Sequence, residues 1–141
     1  MDTKKILLAG LAGGVVAFFA GWLIWGMALN GFNAEHFIGP KEAMKPESEM
    51  VMWAVVLASL CYGLLNSIVL GHWASISTLV TGAKAGAIIG LLVGANETLM
   101  NYSMMNMFDS TSVLVNIIAW AVYGAIVGGV VGLVLGMGKK A

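Results

Sequence analysis

The stretch GAKAGAIIGLLVGANETLMNY, residues 82–102, decides how this chain is read. It is long and apolar enough to cross the hydrocarbon layer as a helix, which takes about 20 residues. Its glycines, Gly82, Gly86, Gly90 and Gly94, recur every fourth residue and so share one helix face. Glu97 follows them, the one ionisable residue well inside an apolar stretch. At 100° per residue it falls between Gly86 and Gly90 on the helical wheel, with Asn101 one turn beyond on the same side. The segment therefore predicts a membrane span, its packing face and a polar position on that face.

Working outward, three further stretches meet the same length criterion, giving expected spans at residues 6–29, 51–70, 82–102 and 113–137. Composition agrees. The chain is 60% hydrophobic and 10% charged, with a mean hydropathy of +0.91. Soluble domains are about a quarter charged, and a chain of 141 residues is too short to hide such an excess in one core. Net charge is zero and arginine is absent, which removes the basic field that nucleic-acid partners require. Cys61 is the single cysteine, so neither an internal disulfide nor a cysteine-only metal site is expected. The first span is too long for a signal peptide and no A-x-A pattern follows it, so it is read as a retained helix.

Lysines in short flanking segments stay cytoplasmic. Lys4, Lys5, Lys84, Lys139 and Lys140 fall on one side of the predicted bundle, Lys41 and Lys45 on the other. The expected fold is an all-α membrane protein, one domain over residues 1–141. Four transmembrane helices form an antiparallel up-down bundle, with both termini cytoplasmic and an external loop over residues 30–49. A faint internal repeat supports two related hairpins: Ala9, Gly10 and Gly14 match Ala85, Gly86 and Gly90, while Tyr62, Gly63 and Gly71 match Tyr123, Gly124 and Gly132.

The fourth span repeats the glycine pattern at Gly124, Gly128, Gly132 and Gly136, the second has Ser59, Gly63, Ser67 and Gly71, and the first has Gly10 and Gly14. Small residues let helix backbones approach closely in lipid, where no hydrophobic force drives association. Two uses of the stripes stay open, packing within one chain and self-association or docking on another membrane protein.

An acid within a span normally faces the bundle interior. Glu97 is therefore expected to be buried, in a ligand or proton site with Asn101, Asn116, Trp120 and Trp22; a purely structural hydrogen bond to Asn101, Asn116 or an indole N–H is the competing reading. Trp25 and Trp53 read as interface anchors, as do His72 and Trp73. Eight methionines lie toward the external side, among them Met100 and Met104 in an MxxxM pattern. Thioethers bind Cu(I), and an MxxxM span followed by a GxxxG span resembles the eukaryotic copper-uptake transporters. That resemblance makes Met100 and Met104 candidate metal ligands, against the alternative that methionine is an adaptable filler. No Ser/His/Asp grouping, HExxH, CxxC or phosphate loop is present, so neither an enzyme nor a cofactor is expected.

The run Gly21-Trp22-Leu23-Ile24-Trp25, the run Gly82-Ala83-Lys84-Ala85-Gly86 and the glycine-rich last span resemble those of small four-span bacterial membrane proteins whose function is unassigned. That resemblance implies the bacterial cytoplasmic membrane as location and transfers no catalytic residue. The expectation is a non-enzymatic membrane protein that binds or passes a proton, a cation or a small hydrophobic ligand at Glu97. An accessory or scaffold subunit of a larger complex is the alternative, and Cu(I) handling comes third.

Overall fold

The computed structural model describes residues 2–139, so Lys140 lies outside the described residues. The described chain is helical without a strand, and four of its helices are long and apolar enough to cross a membrane. Helix α1 (Thr3–Gly21) runs on through a wide turn, Trp22–Ala28, before the short α2 (Asn30–Glu35). Helix α3 (Met52–Ser67) continues likewise through Ile68–Trp73. Helices α4 (Leu79–Met104) and α5 (Ser110–Gly136) complete the chain.

Three of the four helices start earlier than their apolar stretches because polar caps set the first turn. Asp2 accepts from Lys4 N–H at 3.2 Å, Thr78 from Thr81 N–H at 3.2 Å and Asp109 from Ser112 N–H at 2.8 Å. Each satisfies a backbone donor that a helix start leaves open. The two wide turns carry i→i+5 hydrogen bonds, Leu29 N–H to Ile24 O at 2.8 Å and Ala74 N–H to Val69 O at 2.9 Å. Hydrophobic spacing does not announce such turns.

Backbone contact at glycine holds the helices in pairs. A Cβ built on Gly86 would lie 2.7 Å from Gly128 Cα, and one on Gly124 would lie 2.8 Å from Gly90 Cα, so α4 and α5 touch along their stripes. A Cβ on Gly63 would lie 2.7 Å from Gly14 Cα, which joins α3 to α1 in the same way. Partner numbers run in opposite directions in both pairs, so each is an antiparallel hairpin. Helix α1 also crosses α5, with Gly13 against Val131 and Gly21 near Tyr123. Helix α3 meets α5 in the parallel sense, through Gly71 on Leu135 and Tyr62 on Tyr123. The up-down sense of the four helices follows from these contacts. Gly14–Gly63 and Gly90–Gly124 occupy equivalent places in the sequence repeat, so the two halves make the same contact.

The stripes are thereby used up within the chain. Gly82, Gly86, Gly90, Gly94, Gly124, Gly128 and Gly132 are buried, and Gly136 packs on the Ser77 backbone. Self-association or docking through these glycines, one of the two expectations, has no free surface. Two complementary stripes joined by a short connection meet each other at an effective concentration that a separate chain does not match.

The bundle is open rather than closed. Helix α4 packs on α5 and scarcely touches α1 or α3, although α3 precedes it in sequence. The core lies among α1, α3 and α5 and is dense at the end carrying the chain termini, where Ile6, Leu70, Val131 and Leu135 are buried. Asn66 and Ser67 are buried there and Ser59 nearer the middle of α3, and each donates to a carbonyl of its own helix: Tyr62 O at 3.0 Å, Leu64 O at 3.0 Å and, for Ser59, Val55 O at 2.8 Å. Toward the opposite end, which carries residues 29–51 and 105–109, the helices part.

Candidate functional site

The parted end is closed by a clasp between the segment after α2 and the segment before α5. Ile38 N–H donates to Met107 O at 2.8 Å, Phe37 pairs with Phe108, and the His36 ring nitrogen Nδ1 lies 2.6 Å from Asp109 Oδ2. Asp109 thus caps α5 with one oxygen and holds His36 with the other. The Ser112 N–H, and after it the His36 ring, hold the Asp109 carboxyl below its ordinary value of 3.8. A carboxyl lowered in the folded chain contributes stability above its ordinary value and loses that contribution as pH falls through the lowered one. The Ser112 amide chemical shift, followed against pH, is therefore expected to titrate with a midpoint below 3.8. In His36→Ala the midpoint should rise toward 3.8 without reaching it, since the Ser112 bond remains. An unchanged midpoint would mean that the two side chains do not interact.

Behind the clasp lies a cleft of ≈ 590 Å³ between α4 and the end of α1, floored by α5. Its polar floor is a network centred on Asn116. The Trp25 indole N–H donates to Asn116 Oδ1 at 2.9 Å, and Asn116 Nδ2 donates to Asn33 Oδ1 at 2.9 Å and to Ser112 O at 2.8 Å. Every strong donor and acceptor of the Asn116 amide is engaged, which fixes its orientation. The α4 wall supplies Glu97, Thr98, Asn101 and Tyr102, with Asn101 Nδ2 donating to Glu97 Oε1 at 3.0 Å. Of the three partners weighed for Glu97, the structure selects Asn101, its neighbour one turn along.

Glu97 is not buried. It is exposed on the cleft wall, and among the described residues no acid is buried. The expected buried acidic site is therefore corrected to a carboxyl facing an open cleft. The cause is Trp120, which takes the next four-residue step of the α5 stripe beyond Gly124. Its ring occupies the place a Gly94 Cβ would need, 2.5 Å from Trp120 Cδ1. There the glycine seam ends, and the cleft lined by Glu97 and Asn116 begins.

Trp120 also belongs to an aromatic cluster. Its ring centre lies 5.2 Å from Trp25, 5.8 Å from Tyr62 and 5.3 Å from Tyr123, and Tyr62 stacks on Tyr123 at 4.9 Å. Trp25 and Trp120 line the cleft on one side and, on the other, a second groove of ≈ 960 Å³ between α1 and α3. Trp22 lines that groove, is 56% exposed and does not reach the cleft, so it is removed from the expected site. Trp25, expected as an interface anchor, is a member of the network and the cluster instead. Trp53 and Trp73 are each 72% exposed.

The structure thus brings together Glu97, Asn101, Asn116 and Trp120 and leaves out Trp22. It adds Asn33 and Ser112, which were not expected there, and brings in Trp25, expected as an anchor. Ser112 stands four residues before Asn116 on α5, a spacing that could have drawn it in; Asn33, in a segment read as loop, offered no such signal. Met100 and Met104 are exposed on α4 and do not line the cleft, whereas Met44, Met105 and Met107 do. No group of three His, Cys, Asp or Glu side chains among the described residues is placed to hold a metal ion.

These features define an all-helical protein with four membrane-length helices and an amphipathic cleft at one end. No family model, no curated protein and no solved structure matches the chain.

Proposed function

We propose that this is a non-enzymatic integral membrane protein that binds a small amphipathic molecule with a cationic head in the cleft between α4, α5 and the end of α1. The lysine distribution favours cytoplasmic termini and a cleft that opens externally. One observation carries the reading: a single cleft unites the Glu97 carboxyl with the Trp25 and Trp120 rings and the Asn33–Asn116 amides. A carboxyl and aromatic faces together suit a cation, while the Trp, Phe108 and Met105 walls suit an apolar body. Binding is favoured over passage, because glycine contact between α4 and α5 and the buried Val127, Val131 and Leu135 fill the half of the bundle beyond the cleft.

The test is tryptophan fluorescence of the purified protein in nanodiscs, titrated with dodecyltrimethylammonium and, separately, with dodecanol. The wild type is expected to bind the cation at least about tenfold more tightly than the alcohol, a difference of roughly 1.4 kcal/mol. Glu97→Gln should remove that preference and leave dodecanol binding unchanged. Equal affinity for the two probes in the wild type would reject the reading. An accessory role within a larger complex is the second reading. The observation favouring it is that α4 is covered on one side only, leaving Val80, Ile88, Leu92 and Leu99 exposed.

A further inference from the structure

The groove between α1 and α3 shares Trp25, Asn30, Met44 and Trp120 with the cleft but carries its own charged residues. The two helices touch at Gly14 and Gly63, then diverge toward the end where α1 passes into its wide turn. The wedge they leave is walled by small and apolar side chains, including Ala17 and Gly21 on α1 and Val55 and Ala58 on α3. Its floor is formed by Tyr123 and Trp120 of α5, so an occupant meets three helices rather than one convex surface. Along α3 it runs from Met52 to Leu65, about 20 Å at 1.5 Å per residue. That is long enough to take in the depth of one leaflet, about 15 Å or half of the hydrocarbon core. On α1 it starts at Ala17, one turn past the Gly14 contact.

The rim carries two opposite charges. Lys45 and Glu47, on either side of Pro46, both line the mouth of the groove. Neither joins an ion pair; among the described residues the His36–Asp109 contact is the one that qualifies. A slender apolar wedge one leaflet deep, with a cation and an anion at its mouth, matches a lipid whose head carries both signs.

We propose that this wedge holds a phospholipid with a zwitterionic, amine-bearing head, one acyl chain lying between α1 and α3, its phosphate at Lys45 and its ammonium at Glu47. The assignment shares with the cleft reading the membrane location and a carboxylate–ammonium contact, but not the charged residues: Lys45 and Glu47 line the groove alone and Glu97 the cleft alone. An acyl chain is favoured because rigid ring systems fit poorly in a wedge that narrows to backbone contact. The two head-group contacts add preference over lipids that merely coat the protein.

The experiment is native mass spectrometry of the purified, delipidated protein after exposure to vesicles of phosphatidylethanolamine or of phosphatidylglycerol with the same acyl chains. The wild type should retain one phosphatidylethanolamine at detergent levels that strip phosphatidylglycerol, a preference of about tenfold or more. Lys45→Ala with Glu47→Ala, both exposed loop positions, should reduce retention of the first lipid to that of the second. Ala58→Phe, which fills the wedge from an exposed position, should abolish retention of both while the dodecyltrimethylammonium affinity of the cleft persists. Equal release of the two lipids from the wild type, or undiminished retention in Ala58→Phe, would overturn the assignment. A failure of cation binding in the cleft would leave this outcome untouched, so the two readings fall separately.

Discussion

Gly86→Leu is expected to unseat α4 and to lower the unfolding free energy by about 3 kcal/mol or more, the upper range for overpacking. The leucine Cβ alone would lie 2.7 Å from Gly128 Cα and 3.0 Å from Gly128 N, both backbone atoms that cannot swing aside. Helix α4 has α5 as its one substantial partner, so packing lost when the two are forced apart is not made up elsewhere. Unfolding in detergent, followed by circular dichroism or by proteolysis at residues 105–109, measures the effect. Gly31→Leu is the control: nothing lies within 4 Å of the Cβ position there, so stability should stay within about 0.5 kcal/mol of wild type. If Gly86→Leu unfolds like the control, the stripes do not form the seam described.

Trp120→Ala should cost about 3 to 5 kcal/mol, the usual loss when a large packed aromatic is truncated. The ring fills the space over Gly94 and touches Trp25, Tyr62 and Tyr123, so its removal takes a packing contact from each of four positions. It also removes part of the wall shared by the cleft and the α1–α3 groove. Trp120→Phe keeps a ring in contact with Tyr62 and Tyr123 and should lose less. Equilibrium unfolding of both variants in the same detergent checks the order, and equal stability of Ala and wild type would contradict the packing.

Much of this architecture is legible in the amino-acid order, and the reasons are physical. Spans are read because backbone groups in lipid must be satisfied within the helix, which demands long apolar runs. The seam is read because four-residue spacing places glycines on one face. What the wheel does not give is the distance between axes. Glu97 has the angular position of a buried residue, yet it stands beyond the place where Trp120 interrupts the α5 stripe. A bulky residue at the next four-step position after Gly124 is the sign that close contact stops there, and it carries more information than the angle. Helices α4 and α5 start about three residues before their apolar runs because Thr78 and Asp109, polar residues outside those runs, cap them. The amide network depends on Asn33 returning from a loop, a long-range meeting that local pattern does not encode.

The pairing of α1 with α3 and of α4 with α5 has a consequence for how the chain is made. Each hairpin closes its glycine seam between segments that leave the ribosome one after the other, so neither has to wait for the rest of the protein. The first hairpin can be complete before the second is synthesised, and the late event is the docking of α1 and α3 on α5, which at once shapes the cleft and builds its aromatic wall.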